Sequence, residues 1–462
     1  MSMFISDVNE WANFTFGNSE LGDPRRTKRL IQLSAKMASN IGQSIVKSCG
    51  NSAETEGAYR LIRNNNVSPK AISDGGYKAT SELAQECNLL LALEDTTDIA
   101  YTHKLAKELG HIGNSINAKT KGMLIHSILM VDADSNKTLG LIDQNRWVRD
   151  ADTFGCRKTR ANRAFEEKES AKWVKASDNM LERLGDSLKK TISVCDREAD
   201  IIEYLHYKVD NNQRYLVRAT FNRPLENGAR LYDYAEDITP CGSYELVVAQ
   251  RGGRKERTAI MDLSYACVDV LAPVRKQKTL GPIKSNVVIC QERGNEKGLK
   301  WVLLTSEPIN SAEDARKIVK YYEMRWKIEE YHKAWKSGGT QVEKLRMQSA
   351  GNIERMAVIL GFVAVRLLQL REVGRDKRLA KEKCTAVFNN LQWRLLWAKT
   401  ENKKAMKNFT PTVEWAYLSL GKLGGWQNSK NNNVVGWEAL WEGWQKLDVL
   451  VEGYEMKLSL DL

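Results

Sequence analysis

Two aspartates end apolar segments of the sequence, where a carboxylate could be placed at the edge of a sheet. Asp95 follows LLLALE and Asp196 follows ISVC. If these two strands are parallel neighbours, both carboxylates emerge at the same edge, close enough to share a metal ion. Either aspartate alone could instead form a turn or cap a helix, and we interpret Asp98 and Asp200, a few residues downstream, in that way.

A second set of polar residues has helical spacing. Tyr322, Arg325, Glu329 and Lys336 are three, four and seven residues apart. At about 100° per residue, all four lie on one narrow helix face. A hydroxyl, a guanidinium, a carboxylate and an amine on one face are unsuited to a core. The spacing alone leaves two interpretations open, a solvated face or a face turned toward a charged site.

The elements around Asp95 and Asp196 indicate an α/β fold. Three apolar strands, a helix and a further short strand follow one another in LLLALEDTTD, MLIHSILMVD, KTLGLIDQNRWV, EKESAKWVKASDNMLERL and TISVCDREAD. A meander joined by a crossover to a strand beside the first has this order. The order predicts an RNase H-like catalytic core.

The rest of the chain divides around this core. Residues 222–299 predict an antiparallel β insertion, and AEDARKIVKYYEMRWKIEEYHKAWKSG predicts one long helix ending at Gly338. NIERMAVILGFVAVRLLQLRE predicts a buried helix, and the region beyond residue 371 is helical and rich in tryptophan. We expect an N-terminal helical DNA-binding domain (1–70), a catalytic domain (71–370) and a C-terminal helical domain (371–462).

The N-terminal part predicts a basic helix. Asp23 can cap it, Gly42 can end it, and an apolar stripe is formed by Leu30, Leu33 and Met37. Its first turn carries four basic residues, Arg25, Arg26, Lys28 and Arg29. Cations there oppose the helix dipole, so this turn either contacts phosphate or is a solvated charged turn.

Composition narrows the class of protein. The chain has 462 residues, 42% of them hydrophobic, and a formal net charge of +12, which favours a polyanionic partner. We expect a cytoplasmic protein, because no apolar run is long enough for a membrane span and no secretory signal is present. The eight cysteines have no zinc-ligand spacing, so we expect free, mostly buried thiols.

The segment YEMRWKIEEYHKAWK resembles the signature of the DDE transposases of the insertion-sequence-four group. In that signature, tyrosine is followed by arginine, glutamate and lysine with two, three and six residues between them, and the segment fits it throughout. The resemblance extends in order through GDPRRTKRL, EGAYRLIRN, LALEDTTDIAY, VCDREADI, KWVLLTSEP, FVAVRLLQLRE and WEALWEGW. It therefore spans nearly the whole chain.

The resemblance implies roles for individual residues. Asp95, Asp196 and Glu329 would be the catalytic, metal-binding triad, and Tyr322, Arg325 and Lys336 would contact phosphates near the transposon end. Trp301 would stack on a flipped base, with an ordinary core tryptophan as the alternative, and Trp326 is a second candidate for filling the gap in the duplex. Arg25, Arg26 and Arg29 match basic positions that the family uses in end binding.

The resemblance also implies the reaction and the partners. Three carboxylates can supply oxygen ligands for two Mg²⁺ ions, with Mn²⁺ as a substitute. The expected partners are transposon-end DNA and target DNA, and the expected reaction is cleavage at the transposon ends through a hairpin, followed by joining of the 3′ ends to the target. We expect no nucleotide cofactor, because the sequence has no Walker-type glycine loop. When bound to DNA, the protein would be associated with the bacterial nucleoid.

The C-terminal tryptophans leave two interpretations. Trp437, Trp441 and Trp444 lie three or four residues apart, which is typical of a core-facing helix, whereas the resemblance implies a homodimer interface that bridges two ends. For the whole chain, a non-catalytic inhibitor and an RNase H-like host nuclease are alternatives. The basic N-terminal helix and the acidic residues argue against the inhibitor, and strand joining would distinguish the nuclease.

Overall fold

A computed structural model gives the architecture of the chain. It describes residue 5 and residues 7–102, 109–112, 121–149, 163–248, 257–273, 280–295, 297–336, 339–376, 380–401, 409–429 and 434–460. Three features of the sequence lie wholly or largely outside the described residues. They are Gly338, where the sequence predicts the end of a helix, Cys156, and the basic segment RGGRKER at residues 251–257, of which only Arg257 is described.

Five helices precede the first strand: α1 (Val8–Phe16), α2 (Pro24–Ser39), α3 (Ile45–Ser48), α4 (Ser52–Arg63) and α5 (Pro69–Gln85). The basic helix predicted from the sequence is α2. The Asp23 side chain accepts a hydrogen bond from the backbone N–H of Arg25, and the predicted apolar stripe is buried. The predicted end at Gly42 is wrong. The helix ends at Ser39 because Asn40 leaves the helical conformation and donates its side-chain amide to the Lys36 carbonyl.

The central sheet begins with the predicted meander. Its first strands are β1 (Leu90–Tyr101), β2 (Gly110–His111), β3 (Lys121–Asp132) and β4 (Lys137–Trp147), and antiparallel pairs join β1 to β3 and β3 to both β2 and β4. After α6 (Lys172–Leu184), β5 (Thr191–Cys195) pairs with β1 in parallel. The strand order predicted from the sequence is confirmed. Residues 90–93 and the whole of β5 are buried, as expected for apolar strands covered on both faces.

The remaining strands extend the same sheet. Helix α7 (Ile202–Asp210) leads to β6 (Arg214–Arg218), which pairs in parallel with β5. The insertion contains α8 (Leu231–Asp237), β7 (Gly242–Val248), β8 (Arg257–Val270) and β9 (Ile283–Glu292), and it returns through β10 (Lys300–Thr305). Because β10 pairs with both β6 and β9, the antiparallel insertion continues the central sheet and is not a separate layer.

The helix predicted over 312–338 is two helices, α9 (Ala312–Met324) and α10 (Trp326–Lys336). The prediction of one continuous helix is wrong because the hydrogen-bond ladder tightens at Arg325. The Arg325 N–H bonds to the Tyr322 carbonyl at 3.0 Å, and the Ile328 N–H bonds to the Arg325 carbonyl at 3.1 Å. These three-residue bonds interrupt the four-residue α-helical pattern. Tyr322 therefore lies on one helix and Glu329 and Lys336 lie on the other.

Four helices complete the chain: α11 (Ala350–Arg375), α12 (Asn390–Glu401), α13 (Val413–Leu423) and α14 (Trp437–Ser459). Helix α11 is buried over most of its length, as predicted. Trp441 and Trp444 are buried and Trp437 is half-buried, which confirms the core interpretation of this stripe. One apolar cluster includes the N-terminal helices, the central sheet and α14, through residues such as Leu30, Ile128 and Leu447.

The described cysteines differ in exposure. The seven described cysteines are free thiols, of which Cys87, Cys195, Cys290 and Cys384 are buried and Cys241 and Cys267 are exposed. Among the described helices, none is both long and apolar enough to cross a bilayer.

Candidate active site

Asp95 and Asp196 lie at the same edge of the sheet, on adjacent parallel strands. The register pairs Glu94 of β1 with Cys195 of β5, and each of these two residues is followed directly by one of the aspartates. Parallel strands present their carboxyl ends at the same edge, which is where ligands bind in open α/β sheets. The structure thus places the two carboxylates on adjacent strands, but only Asp196 follows a strand end. The expectation that Asp95 ends its strand is wrong, because the antiparallel pairing of β1 with β3 continues past Asp95 to Tyr101.

His332 and Arg325 both favour the ionised form of Asp95. Its side chain is 20% exposed, and the Oδ2 atom lies 3.6 Å from Nδ1 of His332 on α10. Burial opposes ionisation, but His332 and the positive charge of Arg325 outweigh it, so the pKa of Asp95 lies below its usual value. His332 is buried, and its Nε2 atom has no hydrogen-bond partner among the described residues.

Asp196 has the opposite shift. Its side chain caps a short turn at residues 197–199 and accepts the Glu198 N–H at 2.8 Å. Burial raises the pKa of Asp196, and the negative charge of Asp95 raises it further, while the Glu198 N–H and Arg325 act in the other direction. The two carboxylates therefore repel each other, and a divalent cation would relieve this repulsion. Carboxylate oxygens are also the donors that Mg²⁺ and Mn²⁺ prefer, so the pair fits such an ion.

Glu329 is engaged by Arg325, whose charge also acts on both aspartates. Its carboxylate forms an ion pair and hydrogen bond with the Arg325 guanidinium, one turn earlier. Arg325 is itself largely buried, and burial opposes its charge, but Tyr322, Asp95 and Glu329 together raise its pKa. Within the described part of the chain, no group of three or more His, Cys, Asp and Glu side chains has the arrangement of a metal site. The positive charge of Arg325 thus acts on Glu329 and on both aspartates.

Buried aromatic side chains fix α10 against the protein. The Tyr331 hydroxyl accepts a hydrogen bond from the Gln144 amide at 2.8 Å, and the Trp335 indole donates to the Ala357 carbonyl at 3.1 Å. The two rings also stack, with centroids 5.8 Å apart. These contacts set the direction in which Glu329 and His332 leave the helix.

The aromatic candidates occupy two different environments. Trp301 begins β10 and is half-buried, and its ring packs edge-on against Tyr322 with centroids 5.5 Å apart. Trp326 follows the break between α9 and α10 and is 50% exposed. The structure joins Trp301 to the signature tyrosine and leaves Trp326 accessible from solvent.

Lys336 and the downstream aspartates Asp98 and Asp200 all form ion pairs. The Lys336 Nζ atom lies 3.2 Å from Oδ1 of Asp98 and 3.5 Å from Oε1 of Glu343. The interpretation of Asp98 as a turn former or helix cap is wrong, because Asp98 lies inside β1, where it pairs with Lys336 of the signature. Asp200 is fully buried, pairs with Arg223 and accepts two backbone N–H groups, which is a structural role.

The three N-terminal arginines lie at or near the beginning of α2. Arg25 is 92% exposed and its guanidinium pairs with Asp23. Arg26 is half-buried and donates to the Leu21 carbonyl at 2.9 Å. Arg29 packs against α4, where a Cβ atom at Gly57 would lie 2.7 Å from its guanidinium carbon.

The sequence interpretation did not include Arg218. The register pairs Cys195 with Val217, so Arg218 follows at the same edge as Asp196. Its charge acts on the Tyr322 hydroxyl, whose pKa burial raises, and its guanidinium donates to the Lys300 carbonyl at 3.0 Å. The signal that could have identified Arg218 is its position at the end of the next parallel strand.

Comparison with known families adds to this geometry. Residues 8–67 match the family described as transposase DNA-binding, and residues 234–366 match the family described as transposase DDE domain. The chain carries the domains of a DDE transposase. Such a domain indicates an enzyme that cleaves DNA and transfers its strands, and it implies dependence on divalent metal in general.

The matched ranges include some of the candidate site residues. The first includes Arg25, Arg26 and Arg29; the second includes Glu329 and begins after Asp95 and Asp196. Among solved structures, the chain is similar to a piggyBac transposase synaptic complex with hairpin DNA, at 11% identity and a TM-score of 0.39, covering 79% of this chain and 74% of the other.

Proposed function

We propose that this enzyme is a cut-and-paste transposase of the insertion-sequence-four group, with Asp95, Asp196 and Glu329 as its catalytic carboxylates on an RNase H-like core. The observation that supports this most directly is the juxtaposition of Asp95, inside β1, and Asp196, which follows the end of the adjacent parallel strand β5. Arg325 adds to it, because its charge acts on both aspartates while it holds the third acid.

Asp95, Asp196 and Glu329 would hold two Mg²⁺ ions, or Mn²⁺ in their place. When bound, such ions help deprotonate the attacking water or 3′-hydroxyl and stabilise the leaving oxygen. The metal and a DNA phosphate are expected to act together on Arg325. A cation would compete with Arg325 for the Glu329 carboxylate. The Arg325 guanidinium, released from Glu329, would then donate hydrogen bonds to a DNA phosphate.

The remaining site residues would bind and orient DNA. Tyr322, Arg325 and Lys336 are proposed to contact phosphates of the transposon end. Trp301, already packed on Tyr322, would take a flipped base on its free edge or face, and the exposed Trp326 would fill the gap in the duplex. Arg25, Arg26 and Arg29 would contact the end through the helical domain at residues 1–70.

Assembly and the route of second-strand cleavage are further parts of the proposal. Two copies would bridge two transposon ends through the C-terminal domain at residues 371–462. Each copy would cleave its end through a hairpin within the domain at residues 71–370 and then join the free 3′ end to target DNA.

The test is a cleavage and joining assay with the full chain, Mg²⁺ and DNA that carries the ends of its own element. We expect excised ends and joined products. Asp95→Asn, Asp196→Asn and Glu329→Gln each keep the side-chain size and remove one charged ligand, so each should lower cleavage by more than about 100-fold while end binding persists. Asp134→Asn, near the opposite end of β1, is the matched control and should cleave normally.

Each outcome of this assay is informative. Normal cleavage by one of the three variants would remove that residue from the triad. Cleavage without joined products would favour the host nuclease, and end binding without cleavage by the unaltered chain would favour the inhibitor.

A further inference from the structure

A buried polar cluster lies behind the two aspartates, in the interior of the sheet. Glu94 and His126 have no exposed surface, and Tyr204 of α7 is equally buried. Glu94 immediately precedes Asp95, and successive side chains of a strand point to opposite faces. The cluster therefore occupies the face of β1 opposite to the one that carries the Asp95 carboxylate.

One imidazole joins the two residues that flank Asp95. His126 of β3 lies opposite Thr96 in the register. Its Nε2 atom is 3.3 Å from Oε2 of Glu94, and its Nδ1 atom is 3.0 Å from the Thr96 hydroxyl. With the Nε2–H donating to the carboxylate, Nδ1 is free to accept the hydroxyl hydrogen. The backbone on both sides of Asp95 is thereby tied to the neighbouring strand.

One hydroxyl joins the strand of Asp95 to the strand of Asp196. The Tyr204 hydroxyl donates to Oε1 of Glu94 at 3.5 Å and lies 3.5 Å from the sulfur of Cys195. Cys195 immediately precedes Asp196 and pairs with Glu94 in the parallel register. The residue before each candidate ligand therefore contacts the same phenol.

A buried lysine completes the cluster. Lys208 has no exposed surface, and its Nζ atom donates to the hydroxyl of Ser193 on β5 and to the Gln213 side chain, both at 2.9 Å. Its positive charge acts on the Glu94 carboxylate. Burying a carboxylate and an ammonium group is costly, and apolar residues of similar volume often stabilise a core equally well. We therefore expect the cluster to act on the orientation of the strands that it joins rather than on the stability of the core.

We propose that Glu94, His126 and Tyr204 are positioning residues that set the orientation of Asp95 and Asp196 toward a divalent cation. This inference rests on the proposed function, which makes the two aspartates metal ligands. The three residues do not touch the cation. They act through Thr96 and Cys195, by fixing the backbone next to each ligand.

The experiment compares two buried tyrosines that lose only a hydroxyl. Tyr204→Phe removes the contact between the two strands. Tyr215→Phe is the matched control, because Tyr215 is equally buried but its hydroxyl bonds to Ser285, away from both aspartates. Mn²⁺ binding to the full chain is measured by calorimetry without DNA, alongside the Mn²⁺ concentration for half-maximal cleavage and the thermal unfolding midpoint. We expect Tyr204→Phe to weaken Mn²⁺ binding about 10-fold and Tyr215→Phe to leave it unchanged.

A second pair of variants covers the case in which Tyr204→Phe does not fold. Thr96→Val keeps the size and branching of the side chain but removes the hydroxyl bonded to His126, and should weaken Mn²⁺ binding severalfold. Thr96→Ser keeps the hydroxyl and should restore most of the loss. Equal losses in both variants, or in Tyr204→Phe and Tyr215→Phe, would show a packing effect and overturn the inference.

Asp95→Asn in the same calorimetry separates the two proposals. If Asp95→Asn binds Mn²⁺ and cleaves normally, the assignment of Asp95 as a ligand fails and the inference fails with it. If Asp95→Asn loses both properties while Tyr204→Phe and Thr96→Val keep both, the proposed function stands and the positioning role is wrong.

Discussion

At the scale of single residues, the site is organised by opposed charges within a few ångströms. The pKa of Asp95 is lowered and that of Asp196 is raised, although the two side chains are neighbours. Burial opposes the ionisation of both carboxyl groups, but Asp95 has His332 as a close hydrogen-bond partner, whereas Asp196 faces the charge of Asp95. Of the two aspartates, Asp196 is therefore the one that takes up a proton more readily.

A first residue-scale prediction concerns end binding. Arg25→Ala should weaken binding of end DNA about 3- to 10-fold and reduce the slope of log affinity against log salt by about 1, since one phosphate contact is lost. Arg25 is nearly fully exposed, so thermal stability should stay unchanged. The measurement is a binding titration at several salt concentrations.

The matched control for Arg25→Ala is Lys189→Ala. Lys189 is 85% exposed, also pairs with an aspartate, and lies just before the beginning of β5, at the sheet edge opposite to Asp196. It should leave affinity and salt slope unaltered. The same small loss in both variants would indicate a general effect of net charge rather than a contact made by Arg25.

Residue types and spacing predicted part of the site and missed the rest for a physical reason. Asp95 and Asp196 were identifiable because each follows an apolar run of the sequence, although only Asp196 follows the end of a strand. Arg218 was missed although it ends the next parallel strand, and His126 could not be identified, because its position opposite Thr96 depends on sheet register, which one sequence does not display. The pairing of Arg325 with Glu329 could be predicted from the sequence, because residues four positions apart are neighbours on a helix.

At the scale of elements, the break at Arg325 changes what the signature helix can do. A single straight helix would place Tyr322 and Lys336 along one continuous face. The break instead lets α9 present Tyr322 to Trp301, while α10 presents His332 toward Asp95 of β1. The sequence predicted the helical residues but not the break, because no proline or glycine marks it.

An element-scale prediction tests the packing of α5 on α11. Gly76 lies inside α5, and a Cβ atom there would lie 2.3 Å from the Phe362 ring. Gly76→Ala should therefore destabilise the protein by about 1–3 kcal/mol through overpacking, even though alanine favours helices by up to about 1 kcal/mol. Urea-induced unfolding of the variant and the unaltered chain measures the difference.

Gly453→Ala is the control for Gly76→Ala. Gly453 also lies inside a helix, α14, but a Cβ atom there would meet nothing within 4 Å. Only the helical preference of alanine then operates, so this variant should be slightly more stable than the unaltered chain. Stabilisation by Gly76→Ala as well would show that Phe362 moves aside at little cost.

At the scale of the whole molecule, the N-terminal and C-terminal helices share one core with the sheet. The Trp441 indole donates to the Ile41 carbonyl at 3.2 Å, which joins α14 to the segment after α2. Arg366 of the buried helix α11 packs over the Trp11 ring, 5.3 Å from its centroid. These contacts connect distant parts of the sequence, which explains why the strand order could be predicted from local patterns but the packing of the terminal helices could not.

The pH dependence of stability provides a test of this terminal packing. Burial raises the pKa of Asp448 on α14 from 3.8 to about 7, and the charge of Glu452 acts in the same direction, while Trp444 and Arg366 oppose it. Folding therefore takes up a proton between about pH 4 and pH 7. Asp448 supports the folded state at the acid end of this window, and its contribution is lost as the pH rises through 7.

Asp448→Asn removes the titrating group and keeps the side-chain size. The stability advantage of the variant over the unaltered chain should be larger at pH 8 than at pH 5 by about 2–3 kcal/mol, as measured by urea-induced unfolding at both values. Glu455→Gln, on the exposed part of the same helix, should show no such difference between the two pH values. If Asp448→Asn were less stable at pH 8, the attraction between Asp448 and Arg366 would exceed the cost of burying the carboxylate, and α14 would be anchored by an ion pair rather than by apolar contact.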